Sequence, residues 1–216
     1  MKTRIKICCI SSKEEAKMAV DYGAAALGLV SKMPSGPGVI NDKLIREISA
    51  VCPPSISTFL LTSETSTEKI LSHHEKTFTT TIQFVDKIET AIYSELRQKL
   101  CGIKLVQVIH VIDQNSVDEA LEYSDYSDAL LLDSGNPNLE VKVLGGTGKT
   151  HNWKLSREIV RQSRIPVFLA GGLNSENVIR AIEEVNPFGV DLCSGVRTNG
   201  KLDERKLDQF FNTLDK

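Results

Sequence analysis

Apolar and polar positions along the chain alternate between two periods. Arg4–Ile10 is apolar at alternate and then successive positions, as a strand is. Ser12 and Glu15 next form the Ser-x-x-Glu start of a helix. In it Ala16, Ala19 and Val20 recur at helical spacing until Gly23, a natural stop. Ala25–Val30 is a short run with no charged residue, the pattern of a strand buried on both faces. Asn41 caps a second helix carrying Leu44, Ile45 and Ile48, which must end before Pro53-Pro54. Further strands are expected over Ile56–Leu61, Thr79–Val85, Lys104–Val111, Ala129–Asp133, Val167–Ala170 and Val190–Cys193. Helices are expected between and after them, over Thr67–Glu75, Glu89–Leu100, Val117–Tyr123, Leu155–Gln162, Glu176–Val185 and Glu204–Leu214.

Repeated strand–helix units imply a parallel sheet wound by right-handed crossovers. About eight of them, with no composition break or low-complexity linker, predict an α/β protein: a single-domain (β/α)8 TIM barrel over residues 1–216. An open doubly wound sheet is the rival. It usually carries a Gly-x-Gly-x-x-Gly turn after its first strand, and "CCISSKEEA" contains no glycine. The barrel is the simpler reading.

Composition narrows the class without naming a chemistry. The chain is 41% hydrophobic and 25% charged with a formal charge of −2, which gives no reason to expect nucleic acid or an anionic membrane as partner. No apolar run approaches a membrane span, and the charged start at Lys2 does not read as a signal peptide. Five cysteines without metal-ligand spacing fit a reducing, cytoplasmic setting with free thiols and no metal.

In a barrel, chemistry gathers at the C-terminal ends of the strands. Those ends carry Cys8 and Cys9, Asp86, His110 and Asp133. Alternation along a strand turns adjacent cysteines to opposite faces, so at most one of Cys8 and Cys9 is expected in a given cavity. Either is a thiolate base if Lys6 lowers its pKa, or a small core residue otherwise. Asp133 closes "LLLDS", where partial burial suits a carboxyl to general-acid work; a loop-capping role is the alternative. Glycine loops at "LGGTGKTHNW" (144–153), "AGGLN" (170–174) and "CSGVRTNG" (193–200) can bring backbone N–H groups close to a phosphate, or simply make tight turns. His151 and Trp153 either line the pocket or pack, and His73-His74 are expected on the surface of a helix.

"KICCIS", "YGAAALGLV", "LLLDS", "LGGTGKTHNW", "VFLAGGLNSENVIRAI" and "NPFGVDLCSGV" resemble, in order and spacing, the motifs of phosphoribosylanthranilate isomerase. That resemblance implies a (β/α)8 enzyme of tryptophan biosynthesis that needs no cofactor and acts on a phosphorylated small molecule. Its chemistry is an Amadori rearrangement of an N-linked aminoaldose phosphate to a 1-amino-1-deoxyketose phosphate. The resemblance assigns the general base to Cys8 and the general acid to Asp133. It places phosphate contacts at Gly145, Gly146, Gly148, Gly171, Gly172, Ser194 and Gly195, in a monomer or homodimer.

The departures gather on one side of the expected site. Cys9 stands where the family has glycine, and "KMPSGPGV" (32–39) lacks the arginine that meets the anthranilate carboxylate. The family's Gln-Leu-His-Gly strand end reads "QFVD" (83–86), and Arg197 replaces an acidic residue. The substrate-side candidates are therefore Lys32, Asp86, His110 and Arg197, with Lys32 and Arg197 as the replacement cations. The other readings are an isomerase of a different phosphorylated sugar and a non-catalytic phosphosugar-binding barrel.

Overall fold

The computed structural model describes residues 3–34, 36–135 and 150–214. Eight parallel strands close on themselves in sequential order: β1 (Arg4–Ile7), β2 (Ala26–Val30), β3 (Ser57–Thr62), β4 (Thr81–Phe84), β5 (Lys104–His110), β6 (Ala129–Asp133), β7 (Val167–Leu169) and β8 (Gly189–Leu192). Helices α1 (Lys13–Asp21), α2 (Asp42–Val51), α3 (Thr67–Thr77), α4 (Thr90–Lys99), α5 (Asn115–Ser124), α6 (Trp153–Gln162), α7 (Val178–Val185) and α8 (Glu204–Leu214) follow them in turn. Between β8 and α8 lie a 3₁₀ turn (Ser194–Val196) and a small hairpin, β9 (Arg197–Thr198) and β10 (Lys201–Leu202). The expected TIM barrel is the observed fold.

Strand alternation divides the apolar residues into two cores. Ala26, Val30, Phe59, Leu61, Val106, Val108, Ala129, Leu131 and Phe168 pack together inside the barrel. Their strand neighbours Leu27, Leu29, Leu60, Leu105, Ile109, Leu130 and Leu132 pack outward beneath the helices. Each strand is buried on both faces, which is why its sequence reads as an apolar run. The same alternation places Lys6, Gln83, Asp133 and Asp191 on the interior face.

Two local readings change. β1 ends at Ile7, three residues earlier than its apolar pattern suggests. Cys9 then adopts φ +62°, in the left-handed region, so strict alternation does not govern the two cysteines. In addition, only half of the expected box at the start of α1 forms. Ser12 Oγ accepts from Glu15 N at 3.2 Å, but the Glu15 carboxylate accepts from Ser11 N and Leu202 N and pairs with Arg197. A residue that looked like a local cap instead joins α1 to the C-terminal hairpin.

Candidate active site

One cavity opens at the C-terminal mouth of the barrel. Its walls include Cys8, Cys9, Gln83, Asp133, Asp191, Cys193, Gly171, Gly172 and Ser194. Cys8 and Cys9 both line it, against the expectation that only one thiol faces any cavity. The physical reason is the left-handed turn at Cys9, which returns the second side chain toward the mouth.

Cys8 sits in a space that glycine leaves open. A Cβ on Gly28 would lie 2.7 Å from Cys8 Sγ and 3.1 Å from Lys6 Nζ, so the thiol and the ammonium share the room above Gly28. Lys6 is fully buried, donates to Asp191 Oδ2 at 2.7 Å and faces the Phe59 ring at 5.2 Å. Burial alone would pull its pKa down, but the Asp191 carboxylate and the Cys8 sulfur more than reverse this, so Lys6 stays cationic. A buried, fixed positive charge therefore stands beside the thiol.

Asp133, at the end of β6, is buried, and burial pushes its carboxyl above the usual carboxylate range. The Ser134 backbone N–H, which donates to Oδ1 at 2.7 Å, and the charges of His110 and Lys6 oppose that shift without cancelling it. Burial thus favours the neutral carboxyl, the form that can give up a proton at the cavity wall.

The opposite wall is made of backbone. Gly171 and Gly172 have φ of +84° and +63°. A Cβ on Gly171 would crowd Ser134 and His151 at 3.0–3.1 Å, and one on Gly195 would lie 2.0 Å from the Leu173 carbonyl oxygen. Glycine is required at both for steric reasons. His151 seals this corner from behind: one ring nitrogen lies 2.6 Å from Ser156 Oγ, and burial lowers its pKa to about 4.

The structure gathers Cys8, Asp133, Gly171, Gly172 and Ser194 around the cavity, with Gly195 shaping the turn behind Ser194. Gly145, Gly146 and Gly148 lie outside the described residues. The four substrate-side candidates do not line this cavity. Lys32 is exposed in a surface groove with Asp42, Glu64 and His73. Asp86 follows β4, where its carbonyl accepts from Gln107. His110 pairs in register with Asp133 and turns Nε2 toward the Val85 carbonyl, 3.2 Å away.

Arg197 is buried behind the cysteines. Its guanidinium donates to Glu15, to the Gly200 carbonyl, and to the carbonyls of Cys8 and Cys9 at 3.0 and 2.6 Å. The two helix histidines are not surface residues either. His74 is buried and His73 is bound among Ser31, Thr62 and Asp42. Trp153 packs beneath Arg180, whose guanidinium lies 4.9 Å from the ring centre. Gln83 and Asp191 are cavity residues that motif reading passed over. The inward alternation of Asp191 and Cys193 along "GVDLC" was the signal for one of them.

The fold is thus a closed (β/α)8 barrel with a thiol and a carboxyl around one cavity beside glycine turns. The chain belongs to the phosphoribosylanthranilate isomerase family. The family model for N-(5'-phosphoribosyl)anthranilate isomerase matches residues 5–213. N-(5'-phosphoribosyl)anthranilate isomerase 2 of Methanosarcina mazei is 37% identical over 211 residues, which cover 97% of this chain and 92% of the relative. The isomerase of Methanocella arvoryzae is 31% identical, covering 97% and 96%. The solved phosphoribosylanthranilate isomerase of Thermotoga maritima superposes with a TM-score of 0.84 at 30% identity, covering 99% and 98% of the two chains. A phosphoribosylanthranilate isomerase solved with reduced 1-(o-carboxyphenylamino)-1-deoxyribulose 5-phosphate has a TM-score of 0.81 at 27% identity, with 99% and 98% coverage.

Proposed function

We propose that the chain isomerises N-(5'-phosphoribosyl)anthranilate to the corresponding 1-amino-1-deoxyribulose phosphate. Asp133 is the general acid and Cys8 the general base. The observation that carries this reading is one cavity with a cation-flanked thiol, a carboxyl of raised pKa and a glycine-backbone corner on its walls. Asp133 gives its proton to the ring oxygen as the bond from that oxygen to C1 breaks, and the nitrogen lone pair forms the Schiff base. The Cys8 thiolate then takes the C2 proton, and that electron pair moves to give the enolamine, which becomes the ketone by proton transfer alone. The backbone at Gly171, Gly172 and Ser194 holds the phosphate, with Gly195 keeping the turn open. Gly145, Gly146 and Gly148 complete the anion site in this reading.

The test is the loss of fluorescence as phosphoribosylanthranilate is consumed. Wild-type protein should turn it over, and Cys8→Ala and Asp133→Asn should each lower kcat by about 10²–10⁴-fold or more while the protein stays folded. An inactive, folded wild type would sink the assignment.

One observation favours a second reading, the same chemistry on a different phosphorylated aminosugar. Among the described residues, the cavity lining contains no lysine or arginine for an anthranilate carboxylate, because Lys32 points outward and Arg197 is held internally. Turnover of other aminoaldose phosphates by a chain inactive on anthranilate would select this alternative.

A further inference from the structure

Cys9 and Cys193 have no part in the proton transfers, yet their sulfurs lie 2.9 Å apart at the cavity wall. Topology brings them together. β1 and β8 are neighbours at the barrel seam, with Ile7 in register with Leu192, so Cys8 and Cys193 leave their strands side by side. The left-handed turn at Cys9 carries its side chain back toward Cys193. Cys9 also supports the next loop. Its Sγ lies 3.5 Å from the Pro37 carbonyl, and its Cβ fills the space that a side chain on Gly38 would need.

We propose that Cys9 and Cys193 are an oxidisable dithiol that closes to a disulfide at the rim of the cavity and reversibly stops turnover. The two thiols are unlike, as such a pair requires. The hydrogen bond with Cys9 and the charge of Arg197 hold Cys193 below the usual thiol range although burial opposes them. Cys9 is pushed up, first by its hydrogen bonds to Cys193 and Cys8 and then by burial. Cys193 is also the less buried of the two. It is therefore the attacking sulfur and Cys9 the resolving one.

With a peroxide as oxidant, the Cys193 thiolate attacks one oxygen, the O–O bond breaks, and hydroxide leaves to become water. Cys193 is then a sulfenic acid. The Cys9 sulfur attacks it, the S–O bond breaks, and the Cys9 proton leaves with that oxygen as a second water. Two thiols lose two electrons and one peroxide gains them. The new bond draws Cys9 away from the Pro37 carbonyl and pulls on the peptide that joins it to Cys8. Formation of the bond is independent of the proposed active site, whereas its effect on turnover rests on that reading.

Reduced protein is treated with hydrogen peroxide at neutral pH, alkylated, digested with trypsin and analysed by mass spectrometry, with turnover of phosphoribosylanthranilate followed in parallel. The expected cross-link joins the peptide from Ile7 to Lys13 with that from Ala181 to Arg197. It should form in wild type and in Cys8→Ser, and be absent in Cys9→Gly, which also relieves the backbone, and in Cys193→Ser. Wild-type turnover should fall at least about tenfold and return with dithiothreitol, since a disulfide is reducible and higher sulfur oxides are not. A cross-link that survives Cys9→Gly overturns the proposal, as does oxidation of Cys8 with no cross-link. A wild type that cross-links but never turns over substrate refutes the active-site reading and leaves the disulfide established.

Discussion

The two sides of the cavity solve the same backbone problem differently. On the Gly171–Gly172 and Gly195 side, the chain turns tightly against other main chain, and a Cβ at Gly195 would meet the Leu173 carbonyl oxygen at 2.0 Å. On the thiol side, the left-handed residue is Cys9, which has a side chain. Its Cβ is tolerated because the facing residue is Gly38, where an added Cβ would lie 2.5 Å from that of Cys9. One corner demands glycine because a fixed backbone stands in the way. The other incurs only a torsional cost of about 1–2 kcal/mol, and bulk can shift from one loop to its neighbour. Cys9, which stands where the resemblance expects glycine, sits where the constraint is torsional.

The largest expected effect falls on the clamp behind the cysteines. Arg197→Ala removes the partner of the buried Glu15 carboxylate and three backbone hydrogen bonds. It should lower unfolding free energy by about 3–5 kcal/mol in urea titrations. A loss below about 1 kcal/mol, the range of a solvent-exposed pair, would mean that the clamp is dispensable.

A paired substitution tests the contrast itself. Gly195→Ala should cost about 1–3 kcal/mol of stability and raise KM for a phosphorylated substrate, because a side chain is forced into packed backbone. Cys9→Gly should leave stability within about 1 kcal/mol of wild type, since relief of the left-handed strain offsets lost burial. Thermal unfolding of the two variants that gave equal losses would abolish the distinction.

A pH dependence also separates the two corners. Neutral His151 binds its proton more weakly folded, at about 4, than unfolded, near 6.5. The unfolded chain therefore holds more protons between those values, and stability on the glycine side drains as pH falls through that window, by about 3 kcal/mol in all. Glu15 is held below the usual carboxylate value of 4.5; burial would raise it, but the Leu202 and Ser11 backbone N–H groups and Arg197 outweigh that. Its contribution is complete above pH 4.5 and is lost only at more acid pH. Urea midpoints measured against pH should flatten above pH 4.5 in His151→Gln and below it in Glu15→Gln.

Much of the barrel was legible because each strand is buried on both faces and each helix on one, so the two periods are written plainly in the sequence. Cys8 and Asp133 were legible as strand-end residues of known motifs. What alternation missed was set by contacts distant in sequence. Cys9 turns back because its carbonyl is held by Arg197, and no local pattern signals a partner 188 residues away. Arg197 read as a free cation for the same reason, since Glu15 looked committed to its own helix. Gln83 and Asp191 stand inside quoted motifs without being singled out, because which strand positions face the cavity is decided by the closure of the barrel.

The seam between β1 and β8 has a consequence for how the protein comes into being. A ribosome delivers the N-terminus first, and domains take shape as units during synthesis. Cys8 is made long before β8, yet its carbonyl is fixed by Arg197 and the neighbouring Lys6 by Asp191. A nascent chain can assemble most of its strand–helix units while the end of β1 still lacks these anchors. The thiol is anchored only once β8 and the hairpin after it have emerged, so the far end of the barrel decides when its near end takes shape.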